Sequence, residues 1–409
     1  MCFIQELNLE SKTDFEERKW EKFEELYLGC RKELEGDIPD EIGYLSSLRV
    51  LDLCSTKICR VPRTIKMISC LLTLDLTRCD EITELPELPT SLVCLHVQSA
   101  VVPNLSKFTN LVDLALSDFS ANQNSSNVKH KCDLRWIGRL SKLKELSLYF
   151  LKFIAPVPEL GLLSLPEHLR LRGLDLQPLK YSKGSPLFNS KVLLDLTLNC
   201  SGLQEIQLGG LSQLQHLSLL SCELRSLSIP YSLWTLYVRR CPNMIEIQSV
   251  GMSASLKILN IYECRSIGRI VSCSEVGSRG VLHQSESSSI ETTDCSPKVL
   301  CLPNAFKKLK CLRLSTCENL LEIQVVGTLL SLQTIEIYSY NAMENFSGMS
   351  NLKNLHRSFI SGCSKMWVAE SLDELEVKFF QQVYRIHFFT CKCLGFANLP
   401  YLNKPKVAI

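Results

Sequence analysis

The most constraining feature of this sequence is a six-residue frame, L-x-x-L-x-L, that recurs along almost the whole chain. Isoleucine, valine or phenylalanine replaces leucine at some of its apolar positions. With the middle apolar residue as a register mark, the clearest copies fall at 51, 74, 95, 114, 146, 196, 217, 236, 259, 312 and 335. Steps of 19 to 23 residues separate the marks within 51–114, 196–259 and 312–335. More than ten copies at a nearly constant step identify an array of repeated units.

The frame predicts one short β-strand per unit, because its alternating apolar residues bury one face of the strand and leave the other face exposed to solvent. Such a strand cannot bury its leucines alone, so successive copies stack about 4.7–4.9 Å apart as a parallel sheet. The rest of each unit must return along the opposite side. We therefore predict an α/β repeat solenoid, a leucine-rich-repeat horseshoe with a parallel sheet on the concave face and irregular loops or short helices on the convex face.

Weaker copies and interruptions of the frame predict the organisation of the chain. Weaker copies are expected at Phe23-Leu26-Leu28, Leu171-Leu174-Leu176 and Val383-Ile386-Phe388. Two polar stretches rich in serine and asparagine break the period. We expect an N-terminal cap or partial repeat at 1–20, repeats at 21–271 with a polar insertion at 118–133, a Ser-rich loop at 272–298, repeats at 299–370, and a degenerate C-terminal repeat or cap at 371–409.

The composition excludes several classes of protein. Apolar residues make up 45% and charged residues 22%, values typical of a folded chain rather than a disordered one. The formal net charge of +2 creates no field that favours nucleic acid or an anionic membrane as partner. No stretch reaches the ~18–20 apolar residues of a membrane span, and no signal peptide precedes the repeats. We expect a cytoplasmic, soluble protein.

The 20 cysteines follow the repeat rather than a disulfide or zinc pattern. They fall below the ~8–10% of disulfide-rich scaffolds, and no C-x-x-C pair occurs. Several occupy one place after the strand, in L-x-x-C-x-x-[LIM]. We predict a ladder of buried structural thiols at the turn that follows each strand, formed by Cys79, Cys222, Cys241, Cys264, Cys317, Cys363 and Cys391.

Sequence motifs of catalysis are absent. The chain contains no G-x-x-x-x-G-K-[ST], G-x-G-x-x-G, H-E-x-x-H or G-x-S-x-G. None of its seven histidines has a second histidine or an acid at a spacing typical of metal sites or catalytic triads. We predict no catalytic residue, no cofactor and no metal site, and therefore a protein that is not an enzyme.

The outward residues of the strands are the candidate binding surface. Acidic residues predominate at the outward positions of the early units, at Asp52, Asp75 and, further on, Asp195. In the later units tyrosine and arginine, which are enriched at interface anchors, recur in register. Tyrosine also suits any strand surface, which is the alternative explanation. The candidate partner-binding residues are His216, Tyr237, Arg239, Asn260, Tyr262, Arg313, Glu336 and Tyr338.

The unit L-x-x-L-x-L-x-x-C-x-x-L-x-x-[LI]-P, as in LLTLDLTRCDEITELPELP and SLWTLYVRRCPNMIEI, resembles the repeats of a known family. It is similar to the repeat region of plant TIR-type nucleotide-binding leucine-rich-repeat disease-resistance proteins, over roughly residues 20–370. The resemblance implies a non-catalytic interaction module in plant innate immunity. It implies as partner a pathogen effector or a nucleotide-binding receptor domain. The family's TIR and nucleotide-binding domains have no match here, so the resemblance does not extend to nucleotide switching, NAD cleavage or autonomous signalling by this chain.

Other classes of repeat protein remain as alternatives. Residues 38–45 follow the phrase I-P-x-x-I-G-x-L, which is shared by intracellular leucine-rich-repeat signalling scaffolds. An F-box-type ubiquitin-ligase substrate receptor also carries such repeats, although the first forty residues lack an F-box pattern. The phrase LEGDIP at 34–39 is typical of receptor-kinase outer domains, which the missing signal peptide and kinase motifs disfavour.

Overall fold

A computed structural model of the chain describes residues 23–82, 84–98, 104–118, 130–131, 134–150, 153–154, 167–172, 191–250, 255–273, 299–303, 306–317, 319–338, 343–348, 351–361 and 385–389. The chain divides into two compact units, Met1–Leu187 and Phe188–Ile409. The predicted cap at 1–20 lies outside the described residues, as do most of the two polar stretches and most of 371–409. The predicted domain boundaries therefore remain predictions.

The first unit contains eleven described strands and three 3-10 helices. The strands are β1 Glu25–Tyr27, β2 Glu35–Asp37, β3 Val50–Asp52, β4 Lys57–Arg60, β5 Thr73–Leu76, β6 Cys94–Gln98, β7 Asp113–Ser117, β8 His130–Lys131, β9 Glu145–Tyr149, β10 Phe153–Ile154 and β11 His168–Arg172. The helices span Asp40–Tyr44, Arg63–Met67 and Arg135–Arg139. Pro39 and Pro62, both extended, stand directly before the first two helices.

The repeated strands of the first unit form one parallel sheet in the order β1-β3-β5-β6-β7-β9-β11. The middle leucines pair in register: Leu51 lies opposite Leu74, and Leu74 lies opposite Leu95. All three are fully buried, as the frame predicts. Smaller two-stranded parallel pairs, β2 with β4 and β8 with β10, form outside this sheet.

The register of β11 differs from the predicted one. The frame was expected at Leu171-Leu174-Leu176, but Leu169 is the residue that pairs with Leu146 of β9. Leu169 and Leu171 are the two buried side chains of the strand. The true frame therefore begins at Pro166, and proline in the first apolar position conceals it.

The second unit contains fourteen described strands. They are β12 Asp195–Asn199, β13 His216–Leu220, β14 Ser226–Ile229, β15 Thr235–Arg239, β16 Glu246–Val250, β17 Ile258–Tyr262, β18 Arg269–Cys273, β19 Val299–Leu302, β20 Cys311–Ser315, β21 Glu322–Val325, β22 Thr334–Tyr338, β23 Asn345–Ser347, β24 Arg357–Ser361 and β25 Arg385–Phe389. The repeat frame supplies a parallel sheet in the order β12-β13-β15-β17-β20-β22-β24-β25. Leu259 of β17 lies directly opposite Leu312 of β20, so the long step between these marks is one repeat with an insertion.

A second parallel sheet, β14-β16-β18-β19-β21-β23, runs through the return segments of the second unit. Irregular loops or short helices were predicted there. Each of these strands buries at least one apolar side chain, and several pair in register, for example Leu227 opposite Ile247 and Ile323 opposite Phe346. This sheet provides a second wall of apolar side chains for the core.

The predicted parallel solenoid of short strands is confirmed in each unit. Within the part of the chain that the structure describes, no helix combines the length and apolar character that a bilayer crossing requires.

Candidate functional site

The eight candidate binding residues of the second unit lie on five adjacent strands: β13, β15, β17, β20 and β22. They alternate with buried residues such as Leu236 and Leu259 and so stand on the solvent side of the sheet. Neighbours align across the strands, with Tyr237 opposite Asn260 and Asn260 opposite Arg313. We name this set the outward patch: His216, Tyr237, Arg239, Asn260, Tyr262, Arg313, Glu336 and Tyr338.

Aromatic rings occupy the middle and one end of the outward patch. The ring centroids of Tyr237 and Tyr262 lie 5.3 Å apart, within the range of favourable aromatic contacts. Tyr338 packs on Phe359 of β24 at 4.9 Å and keeps 39% of its surface exposed. Burial raises the pKa of the partly exposed Tyr262. These contacts hold the rings in place before any partner arrives.

Both arginines of the outward patch are already paired within the chain. Arg313 Nε lies 2.8 Å from a carboxylate oxygen of Glu336, and its Nη2 lies 3.4 Å from the other oxygen. Arg239 Nη2 and Arg240 Nε lie 2.9 Å and 2.6 Å from the two oxygens of Glu263. These pairs raise the pKa of Arg313 and lower the pKa of Glu263. All three guanidinium groups are therefore restrained. Glu336 balances the charge of Arg313, whereas Arg239 and Arg240 share the single carboxylate of Glu263.

Three contributors to this surface escaped sequence reasoning. Trp234 stands just before β15, where His216 meets its ring edge-on at 6.5 Å and the Lys257 ammonium lies 3.8 Å from its centroid. Glu263 follows β17 and forms ion pairs with both Arg239 and Arg240. Phe359 lies on β24, a strand that the frame conceals because Ser358 takes the leucine position. The first two would have been found by including the residue just beyond each strand end, where the alternation no longer holds.

The predicted thiol ladder occupies one position of the turn after each strand. Cys79, Cys222, Cys241 and Cys264 are fully buried and Cys317 is 4% exposed, and all five are free thiols. Burial raises the pKa of the Cys317 thiol to about 11. Cys363 and Cys391 lie outside the described residues.

The backbone before each ladder cysteine explains its inward direction. In the five described members of the ladder the preceding residue has a left-handed conformation, for example with φ of 53° at Ser221, 53° at Arg240 and 54° at Glu263. The reversal turns the next side chain into the core. There the thiol lies near the carbonyl of the residue two before it, at 3.4 Å for Cys222 and 3.5 Å for Cys241. A small, weak donor suits this place because the turn leaves a carbonyl in an otherwise apolar surrounding.

A different cluster stands on the outward side of the first unit. His96 of β6 lies opposite Asp75 of β5, and Cys94, two residues earlier on the same face, lies opposite Asp113 of β7. The His96 imidazole lies 3.0 Å from Asp113 and 3.3 Å from Asp75. Hydrogen bonds to Asp113, then to Asp75 and Cys94, raise the pKa of His96 to about 12. Without another cation, the ring is an imidazolium held between two carboxylates.

The sequence predicts no metal site, yet possible ligand atoms converge in this region. The Cys94, His96 and Asp113 ligand atoms lie within 4.8 Å of one another, and so do those of Asp52, Cys54 and Asp75. Each group joins two residues of one repeat with a third from the next repeat, so only the register between neighbouring strands completes it. In the second group, burial and then a hydrogen bond to Asp52 raise the pKa of Cys54 to about 12.

Comparison with known proteins supports the repeat fold. No family model matches the chain. A stretch of 64 residues is 45% identical to TMV resistance protein N of Nicotiana glutinosa, which amounts to 16% of this chain and 6% of that protein.

Among solved structures, a leucine-rich-repeat protein of Leptospira interrogans is similar over 92% of both chains, with 18% identity and a TM-score of 0.50. An internalin of Listeria monocytogenes matches 97% of this chain and 94% of its own, with 16% identity and a TM-score of 0.48. Repeat solenoids of this type serve as interaction scaffolds, because their stacked strands present an extended surface. The chain has the leucine-rich-repeat fold.

Proposed function

We propose that this chain is a protein-recognition module of plant innate immunity that binds its partner through the outward patch. The observation that carries the proposal is the arrangement of aromatic and ion-paired side chains, in register, on five adjacent strands. The stretch shared with TMV resistance protein N supports the assignment to plant defence. The partner is a pathogen effector or a nucleotide-binding receptor domain.

The chemistry of the outward patch fits a protein partner. Tyrosine, tryptophan and arginine are enriched among the anchors of protein interfaces, and the two aromatic types bury a large area at low entropic cost. The internal pairs of Arg313 with Glu336 and Arg239 with Glu263 matter here. Paired charges cost less to bury under a partner than unpaired ones. The surface therefore combines fixed rings with satisfied charges.

The cytoplasm is the proposed site of action. The ladder thiols are free and recur in successive repeats, and free thiols persist in a reducing compartment. The signalling-scaffold and F-box hypotheses stay predictions of the sequence, without an additional observation in their favour.

The test compares two double variants in a binding screen. Secreted effector proteins and isolated nucleotide-binding domains of TIR-type receptors are screened against the chain, and each hit is measured by calorimetry. Replacement of Tyr237 and Arg313 by alanine removes one ring and one guanidinium from the centre of the patch. We expect the affinity for a true partner to fall at least about tenfold, since each of the two anchors contributes about 1 kcal/mol or more.

The matched control replaces Tyr149 and Arg170 by alanine. These residues have the same types and also occupy outward strand positions, but in the first unit. Circular dichroism and thermal unfolding check that both variants fold. Binding that survives Y237A/R313A, or that falls equally in the control, would refute the proposed surface. No reproducible binding to either protein class would refute the proposed function.

A further inference from the structure

The Cys94, His96 and Asp113 side chains form a compact set of donors with three chemical types. Cys94 Sγ lies 3.5 Å from His96 Nε2 and 3.7 Å from Asp113 Oδ2. The third separation, from His96 Nε2 to Asp113 Oδ2, is 3.0 Å. Ala115, the residue opposite His96 on β7, leaves room for the imidazole to approach Asp113. The side chains of His96 and Asp113 remain 26% and 31% exposed, so an ion can reach the set from solvent.

These separations match those that a tetrahedral zinc ion imposes. Zinc lies about 2.3 Å from sulfur and ~2.0–2.2 Å from nitrogen or oxygen ligands. A tetrahedron with such bonds separates sulfur from nitrogen or oxygen by about 3.5 Å, and nitrogen from oxygen by about 3.3 Å. The observed distances depart from these values by only a few tenths of an ångström. An ion therefore fits after a small outward shift of the side chains.

Asp75 supplies the outer support that a metal-binding histidine normally has. Its Oδ2 lies 3.3 Å from Nδ1 of His96, on the ring edge opposite the other two ligands. Its Oδ1 accepts the backbone N–H of Thr77 at 2.8 Å, which fixes the carboxylate. A carboxylate that accepts the second ring N–H sets the tautomer and the ring orientation of a ligand histidine. Here it directs Nε2 toward Cys94 and Asp113.

We propose that Cys94, His96 and Asp113 bind a Zn²⁺ ion, with Asp75 as the positioning residue of the imidazole. Thiolate and imidazole donors select Zn²⁺ over Ca²⁺ and Mg²⁺, which prefer oxygen ligands. Binding releases the proton of the Cys94 thiol and one proton of the imidazolium to solvent. With three protein ligands, the fourth position holds water or a group from another molecule. The site lies on the outward side of the first unit, whereas the residues of the outward patch belong to the second unit.

The experiment titrates the metal-free chain with Zn²⁺ by calorimetry, and with Co²⁺ by absorption. We expect one saturable site with a dissociation constant of about micromolar or tighter. Bound Co²⁺ should show thiolate charge-transfer absorption and the intense visible bands of tetrahedral coordination. Ca²⁺ and Mg²⁺ should not compete. Replacement C94S or H96Q should weaken binding at least about a hundredfold, and D75N about 10–100-fold, as for other outer carboxylates.

The matched control is C311S. Cys311 occupies the same first outward position of its strand as Cys94, but its register partners are Ile258 and Thr334. Binding should be unchanged in this variant. If Zn²⁺ binds C94S or H96Q as tightly as the parent chain, other thiols hold it and the proposal is wrong. Absence of any saturable site would refute it equally.

A second measurement serves if a variant fails to fold. X-ray absorption of the zinc-loaded parent chain reports the ligand shell directly. We expect one sulfur at about 2.3 Å and two or three nitrogen or oxygen atoms at ~2.0–2.2 Å. A shell of two or more sulfur atoms, or of none, would overturn the assignment. The outcome does not depend on partner binding by the outward patch, so either proposal can fail without the other.

Discussion

Replacement of Leu236 by alanine tests the stacked core most directly. The side chain is fully buried and lies between Leu217 of β13 and Leu259 of β17 in the same row. Its shortening removes buried methyl groups and leaves a cavity that neighbouring strands can close only in part. We expect a loss of about 3–5 kcal/mol in the free energy of local unfolding. Hydrogen exchange measured by mass spectrometry should place this loss on β13, β15 and β17 rather than on the first unit.

Combining Leu236→Ala with a second substitution distinguishes a stack from another kind of core. Leu259 is an immediate neighbour, whereas Leu312 is two strands away, at about 9.5 Å. Leu259→Ala should therefore couple to Leu236→Ala by ~0.5–3 kcal/mol, and Leu312→Ala should add to it within about 0.5 kcal/mol. A loss below about 1 kcal/mol for Leu236→Ala, or equal coupling in both pairs, would refute the reasoning.

Two further predictions concern the turn after each strand. Cys222 and Cys241 should react with a thiol-blocking reagent at least about a hundredfold more slowly than exposed Cys70, because local unfolding that exposes them costs ~2.7 kcal/mol or more. Mass spectrometry of the labelled chain measures the rate at each cysteine. Equal rates at buried and exposed cysteines would contradict the ladder. Ser221→Gly should stabilise the second unit by about 0.5–1 kcal/mol, since glycine adopts φ of 53° without steric cost. The control Ser218→Gly, within a strand, should destabilise the second unit by about as much. Urea unfolding measures both variants. If the two substitutions change the free energy of unfolding in the same direction, the left-handed backbone at Ser221 is not the cause.

The repeat frame predicts most strands of the sheet that carries it in each unit, because burial of alternate side chains is a local requirement. An x-L-x-L-x segment must bury alternate side chains, so the strand position and its inward residues follow from five letters. The frame fails where one letter is replaced. Pro166 conceals the start of the β11 frame, and Ser358 takes a leucine position in β24 while remaining fully buried. Its hydroxyl has no hydrogen-bond partner among the described residues, which marks this repeat as a departure from the rule.

The second sheet of the second unit could not be predicted in the same way. Its strands are three to five residues long, and two of them, Ser226–Ile229 and Glu322–Val325, bury only two side chains each. Such short patterns occur often by chance. Their pairing depends on the return segments of successive repeats having matched lengths, a property of several repeats together.

The candidate sites illustrate the same limit. Outward positions could be read from the alternation, so the members of the outward patch were identifiable before the structure. Their contacts could not be predicted in this way. Arg239, for example, pairs with Glu263, a residue beyond the strand end. The Cys94, His96 and Asp113 set required the register of β6 against β7. Residues that are distant along the chain become neighbours only through that register.

The left-handed residue before each ladder cysteine has a consequence for how such a surface can vary. Its shape is set by the backbone, and serine, arginine, glutamate and threonine all occupy it at Ser221, Arg240, Glu263 and Thr316. The adjoining thiol, not this side chain, fills the interior. Each of these repeats therefore carries one surface position at the edge of the sheet where charge and size can change while the leucine rows below stay as they are. Arg240 and Glu263 show one use of that freedom, a bridge between repeats that steadies the neighbouring Arg239.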